Sequence, residues 1–306
     1  MRIFRTFDEA AIIRNPVVTT GSFDGVHIGH KTIIRRLKML AEKYDGESVL
    51  ITFDPHPRKV LYPETAGKDL KLINSPEEKL LMLEKAGLDN IIIINFTLEF
   101  SHTTSEQFVR DLLHEKLHAK VIVVGFNHHF GFNKEGDYKQ LWNWQGLYNF
   151  EAEEIPEQEV YHETVSSTRI RQAINEGYIQ RANAYLDHYY IIMGVSEEFQ
   201  PPHDSGLPAL LKINISEETK LIPPSGIYAA SVEAGRESRK GMVMICRKPG
   251  EKPEVLVDIM EENNIEPGLK VILYFHKRII GSVCLSDEKS IPKIRHAREE
   301  IEELIY

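Results

Sequence analysis

Cysteine is nearly missing from this chain: its 306 residues hold two, Cys246 and Cys284, both in the last third. Two thiols cannot build a disulfide framework or a four-sulfur zinc site, so they read as reduced core residues in a reducing compartment. Long apolar runs are missing as well, since no stretch approaches the ~18 residues of a membrane span. The opening MRIFRTFDEAAIIRNP puts Asp8 and Glu9 where a secretory leader needs an apolar core, so the expected location is the cytoplasm, away from any membrane. Positive charge is in deficit, with 37 Lys and Arg against 46 Asp and Glu and a net charge of -9. That balance excludes broad docking on nucleic acid, which needs a large basic footprint. An anionic ligand must therefore be met by a local site.

What is present is an ordinary globular composition, 42% hydrophobic and 27% charged, in a chain long enough for two domains. The first half alternates short apolar runs with amphipathic stretches, the rhythm of an α/β domain built on a parallel sheet. Strands are expected at Val17 to Thr20, Val49 to Phe53, Ile91 to Phe96 and Val121 to Val124, each continuous as befits a strand covered on both faces. A helix is expected after Ser75, with Pro76 in its first turn, Glu78 completing a capping box, Leu80, Leu81 and Leu83 as its stripe, and Gly87 as its stop. After about Leu186 the pattern changes to strand-like runs at Ile227 to Val232, Met242 to Cys246, Val255 to Met260, Lys270 to Phe275 and Ile279 to Cys284. Turn-rich pieces separate them, which suggests a smaller antiparallel barrel or sandwich closed by a C-terminal helix from Pro292 to Leu304. The expected domains are 1–186 and 187–306.

The first strand runs straight into GSFDGVHIGHKTIIRRL, a glycine-rich turn opening a helix whose Ile33, Ile34, Leu37 and Leu40 share one face. Such a turn aims backbone N–H groups and the positive end of the helix at an anion, and its glycines let a phosphate come close. His27 and His30 can then set two imidazoles beside one phosphate and donate hydrogen bonds to the charge that grows as phosphorus becomes pentacoordinate. Isolated histidines more often merely cap a helix; the buried strand before this pair, the GSFDG turn and the helix after it argue for the catalytic role. A second helix start lies in VSSTRIRQAINEG, where Ser166, Ser167 and Thr168 precede Arg169 and Arg171 and Gly177 supplies the stop. Serine and threonine there are ordinary caps. Two arginines at a helix N-terminus oppose the dipole, which an anion would explain. ATP phosphates are expected between these two helix ends.

The pair HIGH and SSTRIR, in that order within an α/β domain, resembles the nucleotidyltransferase superfamily. The larger set TGSFDGVHIGHKTII, TFDPHPRKVL, VVGFNHHFGFNKEGD and VSSTRIRQAINEG resembles one family in it, the bacterial riboflavin kinase/FMN adenylyltransferase, or FAD synthetase, over most of residues 14 to 186. The resemblance implies a Rossmann-like nucleotidyltransferase domain that moves AMP from ATP to FMN, with magnesium, releasing pyrophosphate. It implies His27 and His30 as catalytic residues, with Gly21, Phe23, Asp24 and Gly29 of the same turn at the ATP. Ser166, Ser167, Thr168 and Arg171 would contact phosphates. Asn127 stands where the family carries Asp or Asn and would position the nucleotide or its Mg2+. Phe53, Pro55, His56 and Pro57, at the end of the second expected strand, would shape a flavin or nucleotide pocket; a rigid loop explains those prolines equally well. His129 and Phe132 depart from the family, in which basic residues are common there.

In that family the second domain is the riboflavin kinase, marked by a PTAN-type phosphate loop and a later catalytic glutamate. PPSGIYAASV matches the strand that follows the loop, but the counterpart of PTAN is Pro208, Ala209, Leu210 and Leu211, with no hydroxyl for magnesium. The preceding MGVSEEFQPPHDSGLP is acidic where phosphate would need a cradle, and Glu254 is a loose match to the glutamate. The expectation is a barrel without kinase activity, kept for packing, oligomer contacts or flavin binding. Two other readings stay open: a bifunctional enzyme that also phosphorylates riboflavin, and a flavin or nucleotide sensor that binds without turnover.

Overall fold

The computed structural model describes residues 1–126, 128–157, 159–160, 163–201, 207, 210–248, 250–260, 265–283 and 290–304. Packing divides the chain into two units, Met1–Lys71 with Lys79–Val165, and Leu72–Glu78 with Ser166–Tyr306.

The apolar runs of the first unit become strands because their side chains are shielded on both faces. These are β1 (Arg2–Phe4), β2 (Pro16–Thr20), β3 (Glu47–Asp54), β4 (Asn90–Asn95), β5 (Val121–Gly125) and β6 (Glu151–Ile155). They form one sheet in the order β1-β4-β3-β2-β5-β6, and every neighbouring pair is parallel. All of β2 is buried, which fits a central strand of a covered parallel sheet. The chain builds outward from β2 to β3 and β4 on one side and to β5 and β6 on the other. The C-terminal end of β2 is therefore the point where strand order reverses, the place where such sheets bind ligands. Helix α1 (Ile28–Lys43) leaves from that end and buries Ile33, Ile34, Leu37 and Leu40. Helix α2 (Pro76–Lys85) has the expected capping box, with Ser75 N–H donating to Glu78 Oε2 at 2.9 Å and Glu78 N–H to Ser75 Oγ at 3.2 Å. Gly87, at φ 82°, stands just beyond its end.

In the second unit, α3 (Ser167–Glu176) and α4 (Ile179–Leu186) precede the barrel strands β7 (Tyr190–Phe199), β8 (Leu210–Asn214), β9 (Gly226–Ala234), β10 (Glu237–Cys246), β11 (Glu254–Ile259) and β12 (Lys270–Ile280). These close into a barrel in the order β8-β11-β10-β9-β12-β7, which decides between barrel and sandwich. Helix α5 (Ile291–Glu303) packs Ile294, Ala297 and Ile301 on the barrel's apolar cluster. Composition changes near Leu186, whereas packing changes at Ser166, because α4 is tied to the barrel: Asn183 donates to Phe275 O at 2.8 Å and accepts from Tyr190 N–H at 2.7 Å.

One expectation for this unit is corrected. Lys270 to Phe275 and Ile279 to Cys284 are not separate strands; Lys270–Ile280 is one, and Cys284 lies outside the described residues. The polar residues that seemed to break it are held in place: His276 bonds Ser231 Oγ at 2.8 Å and Arg278 donates to Ser225 O at 2.7 Å. The acidic segment from Met193 to Phe199 forms the second part of β7. Gly194 permits its pairing with β8, since a Cβ there would stand 2.5 Å from Asn214 O.

The segment Leu72–Glu78 belongs to this unit through a buried ion pair. Lys220 Nζ lies 2.6 Å from Glu78 Oε2 and also donates to Ile73 O at 2.6 Å and Ile191 O at 2.7 Å. Glu78 Oε1 accepts from Met193 N–H at 2.8 Å, and both charged side chains are fully buried. Such a pair is tolerable because the remaining lone pairs and protons find partners. No helix among the described residues is long and apolar enough to cross a membrane.

Candidate active site

The turn between β2 and α1 is held against the sheet at its first residue, where Gly21 N–H donates to Ile51 O at 3.0 Å. Tightness then forces the backbone into the left-handed region at Phe23 (φ 48°), Gly25 (φ 91°) and Val26 (φ 42°). Glycine accepts that geometry freely; a buried β-branched valine does not, and such residues cost about 1–3 kcal/mol each and gather at functional sites. His27 is the N-cap residue of α1, yet its side chain makes no capping bond and no acid lies in the first turn. The side-chain capping role is thus not what this histidine performs. The end of α1 keeps its positive dipole for another anion.

The two imidazoles stack with ring centroids 3.7 Å apart and 19° between planes, and Phe23 stacks on His30 at 4.2 Å. His30 Nδ1 is buried without a hydrogen-bond partner among the described residues. Burial pushes the His30 imidazole well below the usual histidine range, and the neighbouring His27 and Lys79 push it further; the ring is neutral near pH 7. A neutral imidazole donates one hydrogen bond and accepts another, the right equipment for a phosphate oxygen. Asp24 is buried in the same turn.

Lys79 was not singled out from the sequence. Its ammonium lies 3.4 Å from Ser22 O and 3.3 Å from Thr52 Oγ1. Burial lowers its pKa, while Asp24 and Asp54 raise it. The signal was available: on a 3.6-residue period Lys79 shares the face of α2 that carries the buried Met82 and Leu83, and a lysine on a buried face asks for a reason.

Other candidates lie at the same edge of the sheet in different roles. Phe53, next to last in β3, lies within an aromatic cluster, 5.4 Å from Phe96 and 5.9 Å from Phe100. Pro55 follows a cis peptide bond. His56 caps the short helix Pro57–Leu61, its Nδ1 accepting from Arg58 N–H at 3.2 Å, so its local task is structural. Asn127 lies outside the described residues. Next to it, burial and His129 bring His128 down to about 4, and its Nε2 is buried without a partner among the described residues. Phe132 stacks on His102 at 5.2 Å, a contact that a basic residue would not make in the same way.

In the second unit Ser166 caps α3, its Oγ accepting from Arg169 N–H at 3.4 Å, and Gly177 ends the helix at φ 81°. Ser167, Thr168 and Arg169 form the first turn, which contains no acid, and Arg171 follows in the next. Among the described residues no group of three His, Cys, Asp or Glu side chains is arranged to hold a metal ion.

Comparison with known proteins gives the family. Residues 9–169 match the family model of FAD synthetase. A bifunctional riboflavin kinase/FMN adenylyltransferase from Listeria monocytogenes is 33% identical over 87% of this chain and 81% of its own length. The enzyme of that name from Bacillus subtilis is 29% identical over 94% of this chain and 89% of its own. A crystal structure described as a macrolide-efflux protein from Streptococcus pneumoniae superposes with a TM-score of 0.87 at 24% identity, covering 100% of both chains; at that identity the likeness is one of fold. With a family match over more than half its length and a relative aligned across most of both proteins, the chain belongs to the FAD synthetase family.

Proposed function

We propose that the chain transfers the AMP moiety of ATP to FMN, giving FAD and pyrophosphate. The observation that carries this reading is the stacked pair His27 and His30 on the uncapped end of α1, at the reversal point of a parallel sheet. The names of the curated relatives support FMN as acceptor. His27 and His30 contact the α-phosphate and donate to its growing negative charge. Gly21, Phe23, Asp24 and Gly29 shape the turn around the nucleotide, and Ser166, Ser167, Thr168 and Arg171 bind phosphate oxygens. Phe53, Pro55, His56, Pro57 and Asn127 are proposed to border the flavin or nucleotide pocket. The functional domain accordingly runs through residue 186, and the enzyme works in the cytoplasm.

Mg2+ suits a site without a ready cage of side chains, because it is commonly held by substrate phosphates, water and one or two protein oxygens. Asn127 is the candidate side chain. When bound, the ion would neutralise triphosphate charge.

The barrel is proposed to lack riboflavin kinase activity. Leu210 and Leu211, in place of a hydroxyl-bearing phosphate loop, are buried strand residues, and Glu254 is paired with Lys212 at 3.1 Å. Purified protein given ATP and FMN is expected to form FAD and pyrophosphate in equal amounts, and given ATP and riboflavin to form no FMN. No FAD in the first assay overturns adenylyl transfer. FMN at an enzyme-like rate in the second restores the bifunctional reading.

A further inference from the structure

Lysine is rarely turned toward the interior unless its charge is used there, because desolvating an ammonium is costly. Lys79 reaches from α2 to two oxygens of the framework that carries the imidazoles: the carbonyl of Ser22, inside the turn, and the hydroxyl of Thr52, on β3. Thr52 itself donates to that carbonyl at 3.4 Å. At 3.3–3.4 Å these contacts are long for hydrogen bonds, so they locate the ammonium more than they satisfy it. Its compensation comes from the carboxylates of Asp24, in the turn, and Asp54, at the end of β3. Without Lys79 a triphosphate at this turn would meet two carboxylates beside the neutral imidazole of His30. Like charges so placed repel the substrate.

We propose that Lys79 is a positioning residue for adenylyl transfer: held on the Ser22 carbonyl and Thr52 hydroxyl, its ammonium fixes the turn that presents His27 and His30 and offsets the Asp24 and Asp54 carboxylates that would repel ATP. The proposal rests on the adenylyl-transfer reading of that turn. The groups acting on the His30 imidazole are His27 from the turn and Lys79 from α2; those acting on Lys79 are Asp24 and Asp54. Because the ammonium disfavours a second positive charge beside it, removing it raises the pH at which His30 takes up a proton.

The test uses the full chain with Lys79→Met and Lys79→Arg, and two readouts. The first is the ligand-free titration of the His30 ring followed by NMR, its signal identified by loss in H30Q. The wild-type midpoint is expected below 6.5, K79M above wild type, and K79R with wild type. The second is FAD formation from ATP and FMN, where K79M is expected to lose roughly 100-fold in kcat, as misplaced catalytic groups do, with a raised KM for ATP; K79R recovers part of both. A wild-type midpoint at or above 6.5 overturns the proposal, as does a K79M chain with unchanged midpoint and kcat, or one whose midpoint moves while kcat and KM stay. Should K79M fail to fold, K79R decides: a midpoint returned to the ordinary value despite the retained charge overturns it. If wild type makes no FAD, the adenylyl-transfer reading falls on its own while the titration still judges the coupling of Lys79 to His30.

Discussion

His30 sits in a sandwich, with Phe23 on one face and His27 on the other. Stacking fixes ring orientation and burial keeps the ring neutral, so two separate demands of phosphate chemistry are met by packing alone. Replacing either histidine with alanine is expected to lower kcat for FAD formation by roughly 10²–10³, the cost of losing one preorganised donor to a developing oxyanion. ATP affinity, measured by calorimetry, should fall much less. A variant that loses affinity while kcat stays unchanged would show that the rings bind ground state and transition state alike. At this scale the sequence disclosed the histidines through their spacing, but not Lys79: its partners are 57 and 27 residues away along the chain, and only the fold brings a helix lysine to a loop carbonyl.

Elements were legible where one force dominated. The strands that became β2, β3, β4 and β5 announced themselves as unbroken apolar runs, and α2 through its cap, proline and stop. Others carried mixed signals. β1 has three residues, too few to show a pattern; β6 reads EAEEI, whose acids suit an exposed edge but hide a strand. β7 begins apolar and ends in SEEF, and β12 is interrupted by HKR. The Lys220–Glu78 pair, distant in sequence by 142 residues, left no local trace at all. Its removal has a clear expectation: Lys220→Met leaves Glu78 charged, buried and uncompensated, which costs about 3–5 kcal/mol. Urea unfolding of the full chain measures this, and a midpoint within error of wild type would mean that water reaches the carboxylate. Replacing both partners, as K220M with E78L, should recover much of the loss.

For the molecule as a whole, acid is the expected weakness. His30, His128 and His276 are all held below the ordinary histidine range, chiefly by burial, the last two at about 4. Each is neutral when folded and takes up a proton more readily when unfolded, so its contribution is complete above about 6.5 and declines as pH falls toward the folded value. The urea midpoint should therefore drop between pH 6.5 and 4, and His276→Gln should make that slope shallower; an unchanged slope would place the acid sensitivity elsewhere. The fate of each phosphate of ATP tests the central claim most directly. With ATP labelled at the α-phosphate and FMN as acceptor, the label is predicted to appear in FAD, while label at the γ-phosphate leaves as pyrophosphate. A flavin carrying the γ-label, or no labelled flavin at all, would contradict adenylyl transfer by this chain.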